Sequence, residues 1–288
     1  MGLALGIEVG QSAHENSRVY QISTQFAHHT SMTQTHALNW KDRLRASGIH
    51  LGISLLIATL AAGLVFALWY PYPYREISGG RELFFIVVAV DVVLGPLITL
   101  AVFNRSKPRS ELVRDLGIVG LIQLAALIYG LWTVSVARPV HLVFEFDRFR
   151  VIHAIDVPEE MLSQTPPGVS AMPLTGPTLL AVRSFRNADE EASATLAALQ
   201  GLHLSARPDL WESYEQARSR VLAAAKPAAE LKRRFPQQAV EMDVVIERSG
   251  RPESALKYLP VAARKSFWTA LIDADSAEIR GFIPVDSF

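Results

Sequence analysis

The sequence contains no cysteine. That excludes disulfides, thiolate metal sites and cysteine nucleophiles. It also lacks an excess of either charge: 28 Lys and Arg stand against 28 Asp and Glu. A neutral balance removes the electrostatic argument for nucleic acid as a partner. There is no H-E-x-x-H, no phosphate-cradling glycine loop, no G-x-S-x-G, no internal repeat and no low-complexity tract. His14, His28, His29 and His36 are irregularly spaced and have no carboxylate cluster beside them, so they do not read as a metal site. The sequence therefore points to no cofactor and no metal. No apolar stretch follows Met1, so the chain does not open on a signal peptide. Residues 1–38 read as a disordered polar extension, with translation expected to start near Met32.

What is present is apolar length. Half of the residues are hydrophobic, and the excess is concentrated between Ile49 and Val136. Three stretches reach the ~20 residues that a bilayer-spanning helix needs: about 49–70, 83–103 and 116–136. Trp69, Tyr70, Tyr72 and Tyr74 close the first as interface anchors. Pro71 and Pro73 stop its helix, because proline has no N–H to donate. Gly48 and Gly52, like Ala58 and Ala62, are spaced to let another helix come close.

Lys41, Arg43, Arg45, Arg105, Lys107, Arg109 and Arg114 flank one side of these spans, against Arg75, Arg81 and Arg138 on the other. Seven against three places the N-terminus in the cytoplasm and everything after Arg138 outside. In a Gram-negative cell that is an inner-membrane protein with a periplasmic C-terminal domain.

The second span carries Asp91 in its middle and Gly95-Pro96 just after. A carboxylate at that depth costs about 2.5–3.5 kcal/mol on insertion scales and is tolerated when protonated, paired or facing protein or water. It reads either as a polar contact to another helix or a proton-linked site, or as a structural pair with Gln123, Tyr129 or Thr99. Gly95-Pro96 should kink the helix and free a carbonyl near Asp91. Asp91, Gly95, Pro96, Thr99 and Gln123 are thus the candidate intramembrane polar site.

Residues 139–288 are long enough for one domain. The stretch from Val140 to Val157 reads as a strand, with Leu142, Phe144 and Phe146 on one face. Asn187 and Glu190 form a capping-box-like helix start, and that helix stops at Gly201. A second helix is expected from about Pro208 to Ala225, with Leu210, Tyr214, Ala217 and Val221 as its apolar stripe. A third is expected over Pro236–Arg248. Strands are expected over 256–261, 267–272 and 278–285. The fold class is therefore three transmembrane helices plus an α+β periplasmic domain with a small antiparallel sheet. Arg138, Glu145, Asp147 and Arg148 are the candidate site outside the membrane, the last three as a local charged cluster. His141 and His153 read as packing or surface residues.

Four segments carry a resemblance: WKDRLRASGIHLGISL before the first span, DVVLGPLITL in the second, RPVHLVFEFDRF after the third, and YLPVAARKSFWTALIDADSAEIRGFIPVD near the end. Together, in this order, they resemble the type IV pilin accessory protein family over roughly residues 39–288. The family-marking positions are Asp91, Gly95, Pro96, Arg138, Pro139, Glu145, Asp147 and Phe149. The resemblance implies a non-enzymatic inner-membrane protein that supports the stability, assembly or surface display of a cognate type IV pilin. The implied partners are that pilin, inner-membrane lipid and other pilus assembly proteins. Pilins of this type sit in the membrane by an apolar helix before assembly. Two other classes remain: a membrane-anchored periplasmic assembly factor or sensor for another envelope complex, and an enzyme built on Asp91. The first 38 residues are short for a signalling domain. The enzyme needs a second polar group at the same depth, and the spans offer Gln123, Thr99 and Tyr129.

Overall fold

The computed structural model describes residues 40–288. The expectations of a late start and a disordered extension, and the four N-terminal histidines, lie outside the described residues. Of the unit Met1–Asp42, only the first helical residues from Trp40 are described; Arg43–Phe288 forms a second unit that holds together by its own contacts.

Three helices are long and apolar enough to cross a membrane: Trp40–Trp69, Gly80–Val102 and Arg109–Val136. The first is α1 (Trp40–Gly63), which widens into a π-helical stretch, Leu64–Trp69. A short helix α2 (Tyr74–Ile77) follows Pro71 and Pro73. The second span is α3 (Gly80–Ala89), a π-helical stretch over Val90–Leu94, then α4 (Gly95–Val102). The third is α5 (Arg109–Val136). Each helix starts several residues before its apolar stretch, because the charged flank continues the helix. The spans expose large aliphatic side chains such as Leu60, Ile86 and Leu121, as helices solvated by lipid do.

The C-terminal domain carries eight strands: β1 (Pro139–Glu145), β2 (Arg148–His153), β3 (Thr178–Val182), β4 (Trp211–Ser213), β5 (Lys226–Pro227), β6 (Leu256–Ala262), β7 (Phe267–Asp273) and β8 (Ile279–Ile283). They form one sheet in the order β4-β3-β1-β2-β6-β7-β8, with β5 paired to β6. The sheet is mixed, which corrects the expectation of a small antiparallel one. β1 lies parallel to β3, and β2 parallel to β6. Long connections make this possible, since parallel neighbours need a crossover of a dozen residues or more. Such register is non-local and leaves no mark in any one strand's pattern.

The opening stretch is a hairpin rather than one strand. Phe146 sits in its turn at φ 58° and is exposed. β1 is buried along its whole length: Leu142 and Phe144 enter one core, Val140 and Val143 the other.

Between the strands lie helices α6 (Ala188–Leu199), α7 (Tyr214–Ala224), α8 (Ala228–Arg234) and α9 (Ala239–Arg248). Asn187 caps α6, its side chain accepting from the Glu190 N–H at 2.8 Å. The helix expected from Pro208 begins only at Tyr214, because residues 208–213 spend a turn and then pair as β4 with β3. Tyr214, Ala217 and Val221 pack on the first core, whereas Leu210 belongs to the second.

The loop between the first two spans is part of this domain. Tyr74 and Ile77 are buried in the core that holds Leu142, Phe149 and Ile272. Lys265 N–H donates to the Ile77 carbonyl at 2.9 Å, Ala154 N–H to the Arg138 carbonyl at 2.9 Å, and Gly176 N–H to the Leu68 carbonyl at 2.5 Å.

Candidate functional site

A set of polar groups from the three long helices is collected along one seam. Arg43, Ser47, His50 and Ser54 recur at steps of four, three and four residues, which puts them on one face of α1. That face meets the second span. Arg43 Nη1 donates to the carbonyls of Leu100 and Ala101, at 3.3 and 3.2 Å. It thereby caps the carbonyl end of α4, where positive charge is favourable. Ser47 Oγ donates to the Pro96 carbonyl at 2.8 Å, and His50 Nδ1 lies 2.6 Å from Thr99 Oγ1.

The π-helical stretch Val90–Leu94 contains Asp91 and ends at Gly95-Pro96. Pro96 has no N–H to continue the α-ladder, and such bulges accompany proline and functional positions. A Cβ on Gly95 would strike the Gln123 amide and the His50 ring, so glycine is what allows spans two and three to meet there. Gln123 Nε2 donates to the Asp91 backbone carbonyl at 3.4 Å rather than to its carboxylate. Asp91 Oδ1 and Gln123 Oε1 are buried and find no hydrogen-bond partner among the described residues. Both line a cavity of about 170 Å³ with His50, Ser54, Ala58 and Gly120.

Of the predicted intramembrane residues, Asp91, Gly95 and Gln123 are brought together. Thr99 is engaged by His50 instead of Asp91. Tyr129 turns outward, exposed and 5.8 Å ring to ring from Trp132. Arg43, Ser47, His50 and Ser54 were not among the residues expected from sequence; their heptad-like recurrence in an otherwise apolar helix was the available signal.

Outside the spans the predicted residues separate. Glu145 is buried and accepts from Arg150 Nε at 2.9 Å and from the Ser205 hydroxyl. Asp147 and Arg148 pair with each other at 2.7 Å at the surface, where Arg148 also lies over the Phe288 ring. Position in the hairpin is the reason: Glu145 ends a strand buried on both faces, while Asp147 stands in the turn. Arg138 is tied to the end of α5, donating to the Ser135 carbonyl at 2.7 Å and the Pro173 carbonyl at 3.3 Å. Burial there lowers its pKa from the ordinary arginine value.

His153 and Asp156 were not expected as a pair. His153 Nδ1 lies 3.1 Å from Asp156 Oδ2, Arg264 Nη2 donates to Asp156 Oδ1 at 2.8 Å, and all three line an open cleft beside β2. Among the described residues no group of three or more His, Asp or Glu side chains could hold a metal ion.

The architecture defines a class: three apolar helices of membrane-crossing length, fastened to a mixed-sheet α+β domain, with a polar seam inside the helices. The chain belongs to the fimbrial assembly protein family. The family model described as Fimbrial assembly protein FimB matches residues 38–79. The chain is 36% identical over 247 residues to the fimbrial assembly protein of serogroup I from Dichelobacter nodosus, covering 85% of this chain and 95% of that protein. It is 33% identical over 246 residues to the serogroup E1 protein of the same organism, with the same coverage. The protein of serogroups C1 and C2 is 42% identical over 120 residues, 42% of this chain and 92% of that protein. No solved structure matches the chain.

Proposed function

We propose that the protein acts without catalysis in type IV pilus biogenesis, as an inner-membrane helper of a cognate pilin with its C-terminal domain in the periplasm. The observation that carries this reading is likeness to fimbrial assembly proteins along nearly their whole length. The excess of Lys and Arg on the cytoplasmic flanks supports the orientation. The architecture suits such a helper, because a span bundle can face a partner's membrane helix while a folded domain fastened to it faces the partner's head. The role is supporting the stability, assembly or display of that pilin.

Deletion of the gene with two readouts, sheared surface pili and total cellular pilin, tests the proposal. Loss of surface pili with a fall in total pilin is the outcome expected of a stabilising helper. Loss of surface pili with pilin retained points to assembly or retraction. No change in either overturns the role in pilus biogenesis and leaves the assembly of another envelope complex as the reading to pursue.

A further inference from the structure

The intramembrane cavity is chemically one-sided. Its two unpartnered polar atoms, Asp91 Oδ1 and Gln123 Oε1, are both acceptors. No donor on the lining, the Ser54 hydroxyl and His50 Nε2 included, makes a hydrogen bond to either atom. The Gln123 amide N–H faces the Asp91 carbonyl, which also fixes which end of that amide points into the cavity, and His50 Nδ1 is paired with Thr99. A buried acceptor without a partner is costly, more so when it is ionised. The complement of this site is therefore a hydrogen-bond donor.

Depth decides where the donor comes from. Asp91 lies eleven residues from Gly80 and eleven from Val102, the ends of its span. At 1.5 Å rise per residue that is about 16 Å from either end. A lipid headgroup does not reach that level, whereas a side chain on another membrane-spanning helix does. The lining leaves room for one: Ala58 and Gly120 border the cavity, and a Cβ built on Gly120 meets nothing within 4 Å. Small residues at a helix face permit close approach of a neighbour.

We infer that the cavity between the three spans is a docking site for a partner's transmembrane helix, which inserts a donor side chain between Asp91 and Gln123. Resting on the functional reading above, that helix is the membrane segment of the cognate pilin.

The chain has no native cysteine, so single cysteines report position cleanly. Ala58→Cys and Gly120→Cys, each in the full-length protein, are labelled with benzophenone maleimide in membranes that also contain the cognate pilin. Ile86→Cys, on an exposed face, is the control. Irradiation is expected to give pilin adducts from positions 58 and 120 well above those from position 86. Asp91→Leu should lower these adducts about tenfold, the scale of one lost hydrogen bond to a charged group. Its own abundance should hold, because leucine suits the span better than an unpaired carboxylate. Gln123→Leu, as a second variant, should lower the adducts in the same direction. Undiminished adducts in Asp91→Leu and Gln123→Leu, or adducts with lipid alone, overturn the inference. Failure here together with loss of surface pili on gene deletion leaves the role in pilus biogenesis standing; failure of the deletion phenotype removes that role itself.

Discussion

His141 sets an acid limit on the C-terminal domain. It is fully buried on β1, edge-on to the Trp211 ring. Its Nδ1 pairs with Thr178 Oγ1 at 2.7 Å and its Nε2 with the Ala171 carbonyl at 3.0 Å. A carbonyl only accepts, so Nε2 carries the proton and Nδ1 accepts from the threonine hydroxyl, which is the neutral tautomer. Burial lowers its pKa from the usual 6.5 to about 4. Between those two values the unfolded chain binds the proton and the folded chain does not. The contribution of neutral His141 is therefore complete above about pH 6.5 and is lost as pH falls toward 4. Its scale is up to about 3 kcal/mol. The thermal midpoint of the full-length protein in detergent should fall between pH 7 and pH 4.5. His141→Gln, which keeps a donor and an acceptor but cannot titrate, should flatten that fall. Its place on a strand left packing and surface both open for His141. Its partners were not legible, because Ala171 and Thr178 reach it only through the crossover to β3.

At the scale of elements, glycines of the same appearance do different work. Gly48 and Gly52 have the spacing of a helix-packing motif, yet a Cβ on either meets nothing within 4 Å. Among the described residues no helix presses on them. Gly130 on α5 has that spacing only with Ala126, yet a Cβ there would fall 2.5 Å from Val87 Cγ1 on α3. Gly130→Ala should therefore push the second and third spans apart and cost about 1–3 kcal/mol, as overpacking does. Gly48→Ala should cost far less, and thermal unfolding of the two variants in one detergent separates them. The cap at Asn187 is the opposite case. It was legible because the side chain and the N–H it accepts from are three residues apart, so no tertiary partner is needed. The same locality explains why the helix from Ala188 to Leu199 is visible in the sequence, while residues 208–213 carry a helical pattern and their last three still pair as a strand. Their pairing partner, β3, is some thirty residues upstream.

At the scale of the molecule, the span bundle and the C-terminal domain are fastened by the short loop between spans one and two. Ile77 is completely buried in the domain's core although it belongs to that loop. Lys265 reinforces the joint by pairing with Glu82 at the start of the second span. Ile77→Ala should destabilise the C-terminal domain by about 2–5 kcal/mol, as deletion of buried methyl groups does. The readout is limited proteolysis of the full-length protein: cleavage within residues 139–288 should appear at lower protease concentration than in the parent. Unchanged cleavage there would mean that the loop only covers the domain.

The sequence by itself determined whatever depends on neighbours in the chain or on bulk apolar length. That covers the three long helices, the acid and the Gly-Pro pair within the second of them, the capped helix and the three closing strands. Tertiary structure alone decided the parallel pairings that make the sheet mixed. It also decided the contact of buried Glu145 with Ser205, the pairing of Thr99 with His50, and the convergence of Asp91 with Gln123 on one cavity. Each of these rests on contacts between residues far apart in the chain, whose geometry is set by packing rather than by local propensity.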